Sequence, residues 1–374
     1  AITLANDGTC TANITNNLSN RNIIINGAAQ INQRGDQTGI TSSGYCVDRF
    51  RVAMSAAGTW SLSQSTDSPD GFSNSVKLDC TTATSTTGLI LIQQRIEGYN
   101  LQAFAKGTSS AKQFAVSFYV KTNKSGVYTV ELKDNDNSRQ ISKTFTVSDS
   151  NWNRYTLIFP ADTTGAFGND TGGSLFLSMW LGVSGSSSYT SGTLNSSSWA
   201  TSVDANRVSS SNVNLADSTS NEFYLTGVQL EVGGVATDFE HRSYADELRR
   251  CQRYFYAHSG GNPTVNGSDS STPNTVLNTA SCQSTSSISV AVVLPVPMRA
   301  VPSLYSTVAG STRYRLNSSG ANTNSGSDPV IWTIGSTHTT SQMDIAGFSG
   351  LSAGQAGTIR RYDGTGILGF QAEL

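Results

Sequence analysis

Charge is the first thing this sequence is short of. Only 13% of its 374 residues are Asp, Glu, Lys or Arg, about half the share usual in a soluble domain. Ser, Thr, Asn and Gly supply the polarity instead. Such a surface of hydroxyls and amides suits an extracellular or virion-exposed β-protein better than a cytosolic enzyme. With 24 basic against 26 acidic residues and a net charge of −2, there is no electrostatic footprint for nucleic acid. Cysteine is sparse and scattered: Cys10, Cys46, Cys80, Cys251 and Cys282 include no C-x-x-C pair. Their odd number forbids complete pairing within one chain, so they read as free, mostly buried thiols. The histidines His241, His258 and His338 lie far apart, outside any H-E-x-x-H, and no G-x-S-x-G nucleophile elbow occurs. Long hydrophobic runs are missing too. The most apolar stretch, Ile288 to Pro302, carries three prolines and Arg299 and is too short to span a bilayer. The N-terminal AITLANDGT shows no basic region followed by an apolar run, so neither a signal peptide nor membrane insertion is expected.

Helical periodicity is nearly absent, and what fills the chain is β-patterned. In FAVSFYVKT, Phe114, Val116, Phe118 and Val120 alternate with Ala115, Ser117, Tyr119 and Lys121. VYTVELK and ISKTFTV flank Asp134-Asn135-Asp136-Asn137 and predict a hairpin. Leu89 to Ile92 is apolar on both faces, as in a central strand, and Gly227 shifts an alternation, as a bulge would. Asn26-Gly27 between apolar residues predicts another turn between strands. About eight to ten short strands with turns between them mean a β-sandwich or jelly roll. The fold class is therefore all-β: an N-terminal jelly-roll β-sandwich, one connecting α-helix, and a smaller C-terminal β-sandwich. The divisions are residues 1–21 as an N-terminal arm, 22–242 as the jelly roll, 243–258 as the helix, 259–273 as a flexible linker and 274–374 as the C-terminal sandwich. The arm reads either as a tether or as a frayed terminus.

Ser243 can cap the helix, with Asp246 as its capping-box partner. Tyr244, Leu248, Cys251 and Phe255 fall on one apolar stripe, which packs on the preceding sandwich or forms an oligomer seam. The polar stretch from Gly182 to Asn221 is too long for an idle loop. It contains Tyr189 and Trp199, where a core role is least natural. These two rings are the candidate glycan-binding residues, because exposed aromatics stack on sugar C–H faces; the other reading is that they pin the loop. Asp134 to Asn137 lacks the Gly and Glu of an EF-hand loop, Arg139 and Phe145 standing in those places. No cofactor is expected, although a structural Ca²⁺ on backbone carbonyls with Asp48 or Asp238 stays open. Paired carboxylates for glycoside cleavage stay open as well, since their spacing in sequence says little about their separation in space.

Longer motifs carry a resemblance. NIIINGAAQINQRG, GYCVDRF, LIQQRIEGYNLQAF, VELKDNDNSRQISKTF and STSNEFYLTGVQLEVGGVATDFEHRSYADELRRCQRYFY, spanning about residues 22 to 256, resemble the tail-fibre and virion structural proteins of tailed bacteriophages, many from marine and cyanobacterial hosts. VLPVPMRAVPSL and the closing GFQAEL look like small β-domains appended to such fibres. The resemblance implies a jelly roll similar to carbohydrate-binding modules, virion localisation, other virion proteins as partners, frequent homotrimers, and no catalytic motif. The expected function is a non-enzymatic tail fibre that binds host-surface glycan for adsorption. The alternatives are a capsid decoration or head-fibre protein with a mainly structural role, and a glycan-degrading tailspike. Tailspikes usually need a long β-helix, and no such repeat is present.

Overall fold

In the computed structural model the described residues are 2–4, 10–12, 20–45, 47–86, 88–183, 188–260, 275–307, 314–318, 321–324, 330–332, 336–361 and 366–374. The N-terminal sandwich has two antiparallel sheets. One has six strands in the order Asn153–Phe159, Phe114–Thr122, Glu222–Val232, Ser75–Thr82, Thr59–Ser65 and Gln37–Ile40. The other has seven: Ala200–Thr201, Arg139–Val147, Gly126–Asp134, Gly173–Val183, Leu89–Glu97, Arg51–Ser55 and Gly44–Tyr45. Strands adjacent in space are mostly distant in sequence, as in a jelly roll. The expected alternation sets the core: Phe114, Val116, Phe118 and Val120 face Tyr128, Val130, Leu132, Leu177 and Met179 across the interior. Each large side chain fully buried there contributes about 1.5–3 kcal/mol.

The hairpin over 126–147 forms as the pattern predicts, with Asp134 opposite Arg139. A turn also forms at Asn26-Gly27, where the Ala29 amide donates to the Asn26 carbonyl at 2.8 Å, but no strands flank it. Residues 22–34 are mostly buried yet belong to no strand. Two backbone bonds join them to Glu222–Val232, from the Ile23 amide to Leu230 at 2.9 Å and from the Val228 amide to Gly27 at 3.0 Å, and side chains satisfy much of the rest. Asn22 Oδ1 accepts from the amides of Ile24 (3.0 Å) and Leu230 (3.1 Å). Gln94 bonds both the N–H and the carbonyl of Ile25, at 2.8 and 2.9 Å. Asn26, held at φ 61°, donates to the carbonyls of Ile31 and Asp48 and accepts from the Ile31 amide. Amide side chains thus replace the ladder that buried peptides otherwise require.

The helix is shorter than its sequence pattern. It runs Tyr244–Gln252, nine residues, or about 13 Å of rise. The Ser243 hydroxyl caps it, accepting from the Asp246 amide at 3.2 Å. Of the four stripe residues only Leu248 and Cys251 pack as helix residues, against Ile25, Ile31 and Tyr254. Tyr244 is 44% exposed, and Phe255 belongs to the next strand, Phe255–Gly260. The helix stops because Phe255–Gly260 is drawn into pairing with Ile367–Gln371, a gain that outweighs another helical turn. The C-terminal unit therefore starts at this strand, which takes in Ser259 and Gly260 from the expected linker; 261–274 lie outside the described residues. Phe255–Gly260, Ile367–Gln371 and Ser303–Ser306 form one sheet, opposed by a seven-stranded sheet over a core of Ile288, Val290, Tyr314, Met343, Ile345 and Phe370.

Ionic and amide contacts lock the two units together. Glu97 takes Arg253 in a two-pronged pair at 2.9 and 2.7 Å and also accepts from the Tyr254 hydroxyl. Gln33 reaches the Phe255 carbonyl at 2.7 Å and Asp48 Oδ2 at 2.6 Å. Glu373 pairs with Arg34 at 3.1 Å and with Arg49. Arg34 and Arg49 also stack on Phe255 and Tyr254, at 3.6 and 3.5 Å from the ring centres. Burial holds the Asp48 carboxyl up at about 6, above its ordinary 3.8, against the opposing pull of Arg34 and Gln33. A raised folded-state value means that the stability this group contributes is fully present below 3.8 and is lost as pH rises through about 6. Chemical denaturation across that window should show wild-type stability falling relative to Asp48→Asn; parallel curves would show that Asp48 titrates normally.

Candidate functional site

The outer face of the six-stranded sheet carries a cluster of rings. Tyr119 points outward from Phe114–Thr122, and Phe72 comes from the loop before Ser75–Thr82. Phe239 and His241 come from the segment between the last strand of this sheet and the helix. Ring centres are 5.3 Å apart for Phe72 and Tyr119, 5.1 Å for Phe72 and Phe239, 5.1 Å for Phe72 and His241, and 4.9 Å for Phe239 and His241. The three benzenoid rings are half-buried and His241 is exposed. Gly227 makes the arrangement feasible. It sits at φ +61° in a bulge, and a Cβ there would lie 2.7 Å from Tyr119 and 2.8 Å from Phe72.

The segment carrying Phe239 and His241 has no secondary structure but is firmly tied. Glu231 accepts from the Thr237 amide at 2.7 Å and its hydroxyl at 2.8 Å. The Glu240 amide donates to Gln229 at 2.8 Å, and Arg21 donates to Thr237 Oγ1 at 2.8 Å. Further along the same face Tyr224 pairs across strands with Lys121 and Lys77, and Trp152 lies 6.2 Å from its ring. Asp67 accepts from Trp152 Nε1 at 2.9 Å and Lys121 Nζ at 2.6 Å. The hydrogen bond from Lys121, followed by that from Trp152, holds the Asp67 carboxyl below its usual range. Tyr119 and His241 make no side-chain hydrogen bond among the described residues. Preset rings with free polar atoms beside them can stack on an apolar molecular face and bond the hydroxyls at its rim.

The rings singled out in the sequence lie elsewhere. Trp199 is only 6% exposed; its Nε1 donates to the Pro160 carbonyl at 2.9 Å and its ring packs 5.4 Å from Phe114. It is a core residue, because the strand Ala200–Thr201 pairs with Arg139 and Gln140 and carries the loop back over the sandwich. Tyr189 is half-buried 5.3 Å from Trp180, with Arg207 over its ring. The long polar loop is thus a cover for half of the seven-stranded sheet's outer face. Arg207 binds Glu131 at 2.7 and 3.1 Å, and Trp180 Nε1 reaches the same carboxylate at 3.1 Å. This cover explains why Leu89 to Ile92 is apolar on both sides: Ile90 and Ile92 face the core, and Leu91 lies beneath the loop with Trp180 and Val208.

Asp134, first residue of the DNDN turn, accepts instead from Lys106, whose fully buried ammonium also touches Asp162 (3.1 Å) and the carbonyls of Thr164 (2.9 Å) and Gly165 (2.7 Å). Asp48 is taken up by Gln33 and Arg34. No group of three metal-ligating side chains occurs among the described residues. Tyr119 was legible in the sequence only as an outward strand residue. Phe72, Phe239 and His241 join it through contacts that no local pattern encodes.

No family model matches the sequence, and no curated protein does. Among solved structures the chain is similar to the enzymatically active domain of tailspike protein 4 of bacteriophage CBA120, at 13% identity and TM-score 0.31, over 57% of this chain and 21% of that one. It therefore spans about a fifth of the tailspike chain. It is also similar to a xylan-binding domain from Paenibacillus barcinonensis (10% identity, TM-score 0.28, 57% and 96% covered). A third likeness is to a cyclase from a Fischerella species (12%, 0.32, 58% and 98%).

Trp199→Ala should lower the unfolding free energy by about 3–5 kcal/mol, as expected for a core ring. Gly227→Ala should cost about 1–3 kcal/mol through its left-handed backbone and displace the Tyr119 ring. Urea titration checks both; a neutral Trp199→Ala would return that ring to the surface.

Proposed function

We propose that this protein is a non-enzymatic appendage of a tailed-bacteriophage virion, a tail fibre that binds host-surface glycan during adsorption. The observation that carries the glycan reading is the Phe72–Tyr119–Phe239–His241 platform, a set of preset rings on a sheet face with free polar atoms at its edge. The virion role draws its support from the sequence resemblance over residues 22–256. A low-charge surface rich in hydroxyls and amides fits both.

The platform also favours binding over catalysis. Glycoside hydrolysis requires two carboxyl groups about 5–10 Å apart, one able to lend a proton. On this face Asp67 is bonded to Lys121 and Trp152 and holds its proton poorly, and Glu240, between Phe239 and His241, accepts from the Asn22 amide and pairs with Arg242. Glu231 is spent on Thr237 and Gln229. Trimerisation belongs to the same reading, with three C-terminal units presented side by side.

Tyr119→Ala should weaken binding to host-derived polysaccharide by about thirtyfold, the cost of a hot-spot ring, with little change in melting temperature. Undiminished adsorption would remove the platform from the reading. New reducing ends after incubation with the polysaccharide would overturn the non-enzymatic assignment, and a monomer mass in light scattering would overturn the trimer.

A further inference from the structure

The other outer face, that of the seven-stranded sheet, carries a different chemistry on the half that the long loop leaves uncovered. Register places its outward side chains in rows. Glu131, Ser178, Gln93 and Arg51 stand side by side on four adjacent strands, and Lys133, Phe176 and Arg95 form the next row. Neighbouring strands lie about 4.8 Å apart, so Arg51, Arg95 and Lys133 spread over about 14 Å of the face. All three are half-buried. None has an Asp or Glu side chain within ion-pairing distance among the described residues. Arg51 and Lys133 make no side-chain hydrogen bond there either, and Arg95 reaches only Gln93 (2.8 Å) and the main-chain oxygen of Leu374 (2.9 Å). The carboxylates nearby are already occupied: Glu131 by Arg207 and Trp180, Glu373 by Arg34 and Arg49, Glu97 by Arg253 and Tyr254.

Burial, and then the neighbouring cations Arg51 and Arg49, push the Arg95 guanidinium below its ordinary value. Like charges gathered on a chain that carries a net −2 are unfavourable, and a folded protein that keeps them has either offset them or kept them for a ligand. Here the available acids are bonded elsewhere. Phe176 lies among these cations, with Arg95 4.7 Å over its ring, which adds a flat apolar element to the row.

We infer that the strip formed by Arg51, Arg95, Lys133 and Phe176 is a second binding site, for a carboxylate-bearing polysaccharide. Spaced cations match carboxylates repeated along a chain, the Arg51 guanidinium can take two oxygens, and the buried Gln93, bonded to Ser178 and to Arg95 Nε, holds Arg95 in place. The site is separate from the ring platform, since the two lie on opposite outer faces of one sandwich.

The test is calorimetric titration of the full chain with polygalacturonate, with dextran as the neutral control and duplex DNA as a non-saccharide polyanion. The expected result is binding of polygalacturonate that weakens with added salt, with no binding of dextran by this strip. Arg51→Gln and Lys133→Gln should each reduce that binding by about tenfold and leave the melting temperature unchanged, because neither side chain holds a partner. Tyr119→Ala should leave polygalacturonate binding intact, so failure of the platform and failure of the strip are read separately. The inference is overturned if wild type does not bind polygalacturonate, if the two Gln variants bind it as wild type does, or if duplex DNA binds the strip equally well.

Discussion

A segment of thirteen residues, eleven of them buried and none in a strand, holds this molecule together. The segment 22–34 threads between the jelly roll, the helix and the C-terminal unit, and its peptides are satisfied by Asn22, Asn26, Gln94, Asp48 and Glu247. An unsatisfied buried peptide group costs about 1–3 kcal/mol, so each of these amides and carboxylates is structurally obligatory. The same network fixes what surrounds it. Asn22 accepts from Leu230 in the last strand of the six-stranded sheet, and Glu247 ties Asn26 to the helix. Gln33 and Arg34 meet Phe255 at the first strand of the C-terminal unit. The last residues of that unit return to Arg34, Arg49 and Arg95. The two units are therefore aimed by a shared polar joint, with the helix as one of its parts.

That joint leaves the two outer faces of the jelly roll with unlike chemistry. On the six-stranded face, the clamp around Glu231 and Thr237 presses Phe239 and His241 onto Phe72 and Tyr119. On the seven-stranded face, the Glu131–Arg207–Trp180 cluster fastens the long loop over one half, and the docked end of the chain borders the other. Both depend on rigid sheets that hold side chains in fixed rows, as precise binding surfaces do.

Much of the architecture could be read along the chain. Period-two alternation at Phe114–Val120 names its core face because a pleated strand offers only two sides. Gly227 announced its bulge, Ser243 its cap, and the Asp134–Asn137 turn its hairpin, each through local stereochemistry. The helix was read too long because Phe255 continues the apolar spacing of Leu248 and Cys251. Pairing with Ile367–Gln371, more than a hundred residues away, claims Phe255 for a strand. The runs beside the Asn26-Gly27 turn likewise looked like strands because nothing nearby reveals that Asp48, Gln94 and Glu247 will supply their hydrogen bonds. Trp199 looked exposed because its loop is polar, and polarity of a loop says nothing about the one ring it inserts into the core.

The sequence by itself determined the all-β class, the two sandwiches, the capped helix between them and the outward orientation of Tyr119. These follow from short-range rules of pleat, turn and cap. Only the tertiary structure decided which aromatic rings meet on a surface, which acids are left to neutralise the basic strip, and that the long loop is a cover. Those outcomes depend on side chains from segments far apart in the chain, and on which hydrogen-bonding groups are already taken when they arrive.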